Sequence, residues 1–188
     1  MNSDDWLYPD SFARLIAAGE DAEVVYGDCD YTDGVGRFIY SFAAAEPGAL
    51  LPLFRLGRMG LAQPAAIFRK SLYRRLGGFD EQYRFKADAD FYIRALRAGV
   101  RFAHCEGLPV ACFRVHAAQL SNRKRELIAA EGERLFKSRG MTPRASDRLI
   151  LLQWQLMNAP HYLIRILRAF GLSKRLRFPK SIEDHSYL

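Results

Sequence analysis

Over the first 120 residues, short runs of β-branched and aromatic side chains alternate with stretches of helical period, separated by glycine or turn residues. This alternation constrains the fold more than any other feature. A buried strand and a helix with one apolar stripe cover each other's surfaces in layers, so the expectation is an α/β domain with helices packed on a sheet. Residues 9–18 read as a helix, with Asp10 or Ser11 as its cap, Phe12, Leu15 and Ile16 as its apolar stripe, and Gly19 as its stop. Residues 22–26 form a valine-rich run that suits a buried strand. Residues 28–36 carry turn chemistry, and 37–42 return as a second strand. Residues 48–56 read as a helix closed by Gly57, 65–69 as a strand, and 71–76 as a helix broken by Gly77-Gly78. The clearest helix spans 87–98, where Phe91, Ile93 and Leu96 are apolar, Arg94 and Arg97 face out, and Gly99 closes the end. Residues 100–104 and 110–115 alternate like strands.

Beyond residue 121 the character changes. Residues 122–138 read as a charged helix and 147–159 as a strongly apolar one, which Pro160 interrupts. A further helix over 161–170 puts Leu163, Ile166, Leu167 and Phe170 on one face and Arg165 and Arg168 on another, and 173–180 is basic. The expected organisation is therefore an α/β domain over 1–120 followed by a helical, basic, amphipathic region over 121–188. Charge divides the same way. Residues 1–120 carry 14 Lys/Arg against 15 Asp/Glu, whereas 121–188 carry 14 against 6, so the whole excess behind the net +7 lies in the C-terminal third. That asymmetry fits either a solvated helical tail or an anionic partner. Gln153, Gln155, Asn158, Pro160 and Arg165 interrupt the apolar stretch, so no transmembrane helix is expected. An amphipathic helix with arginines over 147–180 suits an anionic membrane surface instead. The tail lacks aromatics interleaved on a basic face and matches no helix-turn-helix or finger pattern, so no nucleic acid is expected as partner.

Cys29, Cys105 and Cys112 are odd in number and lack CxxC spacing, which reads as reduced thiols without a zinc site. The first residues carry aspartates instead of a basic stretch followed by an apolar one, so no signal peptide is read there. The expected location is the cytoplasm, with a peripheral position on the inner face of the membrane.

Three acidic clusters stand out: Asn2-Ser3-Asp4-Asp5, Gly27-Asp28-Cys29-Asp30, and Asp88-Ala89-Asp90 opening the 87–98 helix. Paired carboxylates hold a hard divalent cation against a phosphorylated ligand, or work as acid and base around a sugar. By themselves, Asp4 and Asp5 also suit a helix start, and Asp88 an N-cap. The motif Gly77-Gly78-Phe79-Asp80-Glu81, followed by Asp88-Ala89-Asp90-Phe91-Tyr92-Ile93-Arg94, resembles the family 2 glycosyltransferases of the GT-A fold. Asn2-Ser3-Asp4-Asp5-Trp6 is similar to that family's metal motif, and Phe113-Arg114-Val115-His116 through Ser121 to its closing segment.

The resemblance implies a partial GT-A, Rossmann-like layered sheet and an inverting transfer of sugar from a nucleotide-sugar donor to a hydroxyl of a polysaccharide or lipid-linked glycan. It implies Asp88 as catalytic base, with Ala87 standing where the family has Glu. It implies Asp4, Asp5 and Arg114 on the donor nucleotide, Asp5 and His116 on Mg²⁺ or Mn²⁺, and Gln63 and Asp90 on the acceptor side, Asp90 and Arg94 also holding their helix in place. Asp28 is read as able to face the cleft, Asp30 and Asp33 as turn residues; His104, His161 and His185 receive no role. The resemblance runs from Asn2 to about Ser121 and lacks the family's first strands. A chain that begins partway through the fold, with a reduced nucleotide pocket and an exposed sheet edge, is the expectation; a non-catalytic binding or assembly remnant of such an enzyme is the alternative.

Overall fold

A computed structural model describes residues 4–116 and 124–169. Asn2, Ser3, the 117–123 stretch with Ser121, and the basic 173–180 segment with His185 lie outside the described residues. The chain is a mixed α/β structure. Its elements in order are β1 (Trp6–Leu7), α1 (Ser11–Ala18), β2 (Val24–Gly27), β3 (Cys29–Thr32), β4 (Phe38–Phe42), α2 (Pro47–Arg55), a 3₁₀ turn (Gln63–Ala65), β5 (Ala66–Phe68), α3 (Lys70–Arg75), α4 (Ala87–Arg97), β6 (Phe102–Cys105), β7 (Ala111–Arg114), α5 (Arg125–Ser138) and α6 (Ala145–Ala169).

The strands form two sheets, ordered β1-β7-β3-β4 and β5-β2-β6. β2 and β3 are nearly one strand, and the chain passes from one sheet to the other at Asp28. β6 and β7 make the same passage alongside: β6 runs parallel to β2, with Gly27 opposite Cys105, and β7 runs parallel to β3, with Thr32 opposite Arg114. At the passage the backbones crowd. A Cβ on Gly27 would lie 2.9 Å from both methyl carbons of Val110 and 3.2 Å from the Cys105 carbonyl oxygen, so only glycine fits. β1, β4 and β5 flank the parallel pairs in antiparallel register.

The larger core gathers Tyr26, Leu50, Leu53, Phe54, Phe91, Tyr92 and Ile93 with Leu135, Met141 and Trp154. The last three come from beyond residue 121, so the expected boundary near 120 does not separate two packed bodies: α5 and α6 complete the core of the α/β layer. α6 is tied to the body by Asp147, which receives the Arg55 Nε–H at 2.8 Å, and by Trp154 and Asn158, which both bond the backbone of Ala43.

Other expectations change as well. Residues 28–36 are not all turn, because Cys29–Thr32 is a buried strand. Pro160 does not interrupt α6, which runs continuously through it, at the cost of the one hydrogen bond that its missing N–H would have donated one turn back. Neither Asp10 nor Ser11 caps α1 through its side chain; Asp10 takes a left-handed conformation at φ 60°, which a short polar residue tolerates.

Candidate functional site

Antiparallel pairing of β1 with β7, with Trp6 opposite Cys112, brings the residues before β1 beside those that end β7. The Arg114 backbone N–H donates to Asp5 Oδ1 at 3.2 Å. His116 Nε2 lies 2.9 Å from Asp4 Oδ2 and donates to it, since a carboxylate accepts. The Arg114 guanidinium carbon stands 5.3 Å from the centre of the Trp6 ring, a cation–π contact. Asp4, Asp5, Arg114 and His116, more than a hundred residues apart in sequence, thus form one group. It sits at the carboxyl end of β7, the end at which layered α/β sheets bind ligands. The bond from His116, with Arg114 adding positive charge, holds the Asp4 carboxyl below its ordinary value.

Asp4 and Asp5 differ in access. Asp5 is 7 % exposed and turned toward backbone, whereas the Asp4 and His116 side chains are about one third open. Asp4 is therefore the more exposed carboxylate of the two. Hard divalent ions take carboxylate oxygens and complete their shell from water and substrate phosphates. Among the described residues no three His, Cys, Asp or Glu side chains converge to hold an ion unaided. Two adjacent carboxylates with an imidazole at one of them fit an ion shared with a phosphorylated ligand.

Behind this group, Asp30 is 1 % exposed and receives the Tyr8 hydroxyl at 2.8 Å together with the Ser41 hydroxyl. It is a strand residue that locks β1's exit to β3 and β4, not the turn residue expected. Gln63 is half-buried, in the 3₁₀ turn that packs against β1 and β7.

Asp88 lies in the first turn of α4. Burial is the main influence on it and pushes its carboxyl above its ordinary value; the Ala89 N–H at 2.7 Å and the nearby Lys86 charge act against that rise. A carboxyl so raised holds its proton more readily than a free one. Asp90, two residues on, has no exposed surface, and its two oxygens take the Nε–H groups of Arg94 and Arg139, each at 2.7 Å. That corrects the acceptor-side reading of Asp90: it is a framework residue and holds its helix, as Arg94 does. Arg94 also bonds the Leu76 and Gly78 carbonyls, and Arg139 bonds Asp80 at 2.9 Å, so the two arginines pin the Gly-Gly-Phe-Asp-Glu turn against α4.

Two further polar contacts have no usable sequence signal. Glu131 of α5 accepts the backbone N–H groups of Arg84, Phe85 and Lys86, at 3.1, 2.6 and 2.7 Å, and so fixes the loop that presents Asp88. His104 stands between two carboxylates, with Nε2 3.1 Å from Asp28 and Nδ1 3.2 Å from Glu46, and it stacks on Tyr26. Acceptors on both nitrogens favour the imidazolium, and the bond to Asp28 is the chief cause of its raised pKa. The only sequence hint was Asp28 at a strand end.

A hollow of about 570 Å³ beside α1 is lined by Ile16, Val25, Ile67 and Phe68 among others, and by none of Asp4, Asp5, Asp88, Arg114 or His116. The candidate site is therefore defined by its chemistry and not by that cavity. Compared with known protein families and with curated proteins, the chain matches none.

Proposed function

We propose that this chain is a glycosyltransferase that moves a sugar from a nucleotide donor to a hydroxyl of a glycan or lipid-linked acceptor with inversion. The observation that carries this reading is the presence, in one α/β layer, of two distinct carboxylate environments. One is the pair Asp4 and Asp5, bonded by the Arg114 N–H and by His116. The other is a desolvated base, Asp88 at the start of α4. Enzymes divide two carboxylate roles by environment in this way.

In this reading Asp4 and Asp5 would hold Mg²⁺ or Mn²⁺, with His116 orienting Asp4 through its N–H; the ion when bound supplies positive charge to the departing diphosphate. Arg114 adds a second cation for phosphate oxygens. Gln63, beside β1 and β7, offers an amide to a sugar hydroxyl. Asp88 removes the proton of the acceptor hydroxyl while that oxygen attacks the anomeric carbon. The new C–O bond forms as the bond to the diphosphate breaks, the electron pair leaves with the nucleotide, and the proton stays on Asp88. Attack on the face opposite the leaving group gives inversion. Glu131 and Asp90 keep Asp88 in position without touching substrate.

The test is release of free nucleoside diphosphate from UDP- and GDP-sugars with Mn²⁺ and glycan acceptors. Asp88→Asn should lower turnover by about 10²- to 10⁴-fold with the fold retained. Turnover unchanged in that variant would remove Asp88 from the chemistry. Absence of turnover in the wild-type chain with every donor would favour a non-catalytic binding module.

A further inference from the structure

The inner face of α6 is covered and its outer face is apolar too. Asp147, Leu151, Trp154 and Asn158, spaced by three or four residues, turn toward the body. Half a turn round, Leu149, Leu152, Leu156 and Leu163 form a second stripe and are 72, 52, 65 and 57 % exposed. Ala159, also exposed, continues the same line. Single exposed leucines need no explanation, but a stripe along one helix marks a surface that meets something apolar.

Charge identifies the partner. Asp147 is the only acidic residue between Glu133 and Glu183, and it is sealed against Arg55 with no exposed surface. Among the side chains that are described, the outer side of α6 carries no acid. Arg144 and Arg148 are exposed, and Arg148 precedes Leu152 by one turn at the margin of the stripe. A second copy of the chain on this face would bring like charges together, and a nucleic acid would leave the leucines without a partner. An anionic bilayer meets both demands. We infer that α6 lies in the plane of an anionic lipid surface, its leucine stripe at the acyl boundary and its arginines among the headgroups. No helix among the described residues is long and apolar enough to cross a membrane, so the contact is interfacial.

The experiment is co-sedimentation of the full chain with vesicles of phosphatidylcholine alone and with vesicles also containing phosphatidylglycerol, at low and high salt. Wild type is compared with Leu152→Ser/Leu156→Ser and with Arg144→Gln/Arg148→Gln; all four positions are exposed, so thermal melts should be unchanged. The expected result is binding that requires phosphatidylglycerol, weakens about tenfold or more in the leucine variant, and loses part of its salt sensitivity in the arginine variant. Failure to bind the anionic vesicles, equal binding to both vesicle types, or a leucine variant that binds as wild type would overturn the inference. So would a wild-type dimer in sedimentation equilibrium that the leucine variant abolishes.

Discussion

Asp88 and His104 are both raised in pKa, for opposite reasons: burial disfavours the charge on Asp88, whereas two carboxylates favour the charge on His104. For Asp88 this predicts a rate. A base must be deprotonated, so turnover climbs with pH through its raised pKa, and Asp88→Asn removes that limb from the pH–rate profile. For His104 it predicts stability. A folded pKa raised above the ordinary 6.5 contributes stability that is fully present below about pH 6.5 and is lost as pH rises through the folded value. The melting temperature of wild type should exceed that of His104→Gln most at about pH 6, and the gap should narrow at alkaline pH. A gap that widens with pH would contradict the imidazolium reading. Single residues were the hardest scale to read from sequence. His104 acquires its meaning only from Asp28 and Glu46, 76 and 58 residues away. Asp30 resembled a turn residue because its partners Tyr8 and Ser41 are invisible without the register of β1, β3 and β4.

At the scale of elements, α5 and α6 are held by buried polar contacts that a helical period does not reveal. Most helices and strands of the first 120 residues were legible within a few residues, because apolar spacing and glycine stops are local signals. Gly57, Gly77, Gly78 and Gly99 all take positive φ where a stop was read. The continuity of α6 through Pro160 was not legible, since the packing of Trp154 and Asn158 outweighs a local breaker. Arg55 pushes the Asp147 carboxyl down to about 2. Its contribution is present above the ordinary value of 3.8 and is lost as pH falls through the folded one. Asp147→Asn should destabilise the chain by about 1–3 kcal/mol at neutral pH, measured by denaturant unfolding, and should flatten the loss of stability between about pH 4 and pH 2. Glu131→Gln should speed amide exchange at Arg84, Phe85 and Lys86 and lower turnover with little change in KM, since it acts on the loop before Asp88. Unaltered exchange there would count against Glu131 as the positioning residue.

For the whole molecule, two sheets joined by a parallel pair of strands carry the candidate groups on their carboxyl ends: Asp28 and His104 where β2 and β6 finish, Arg114 and His116 where β7 does. The α/β class followed from the alternation of elements. The division into two sheets, and the closing of residues 4–5 against 114–116, needed long-range pairing that no local pattern encodes. In the proposed function this closure builds a donor site. Calorimetric titration with UDP and GDP, with and without Mn²⁺, tests it most directly, on wild type, Asp4→Ala, Asp5→Ala and Asp88→Asn. The expected result is Mn²⁺-dependent binding of one nucleotide, lost in the Asp4 and Asp5 variants and kept in Asp88→Asn. Absence of binding in wild type, or binding that ignores both the metal and Asp4 and Asp5, would contradict it.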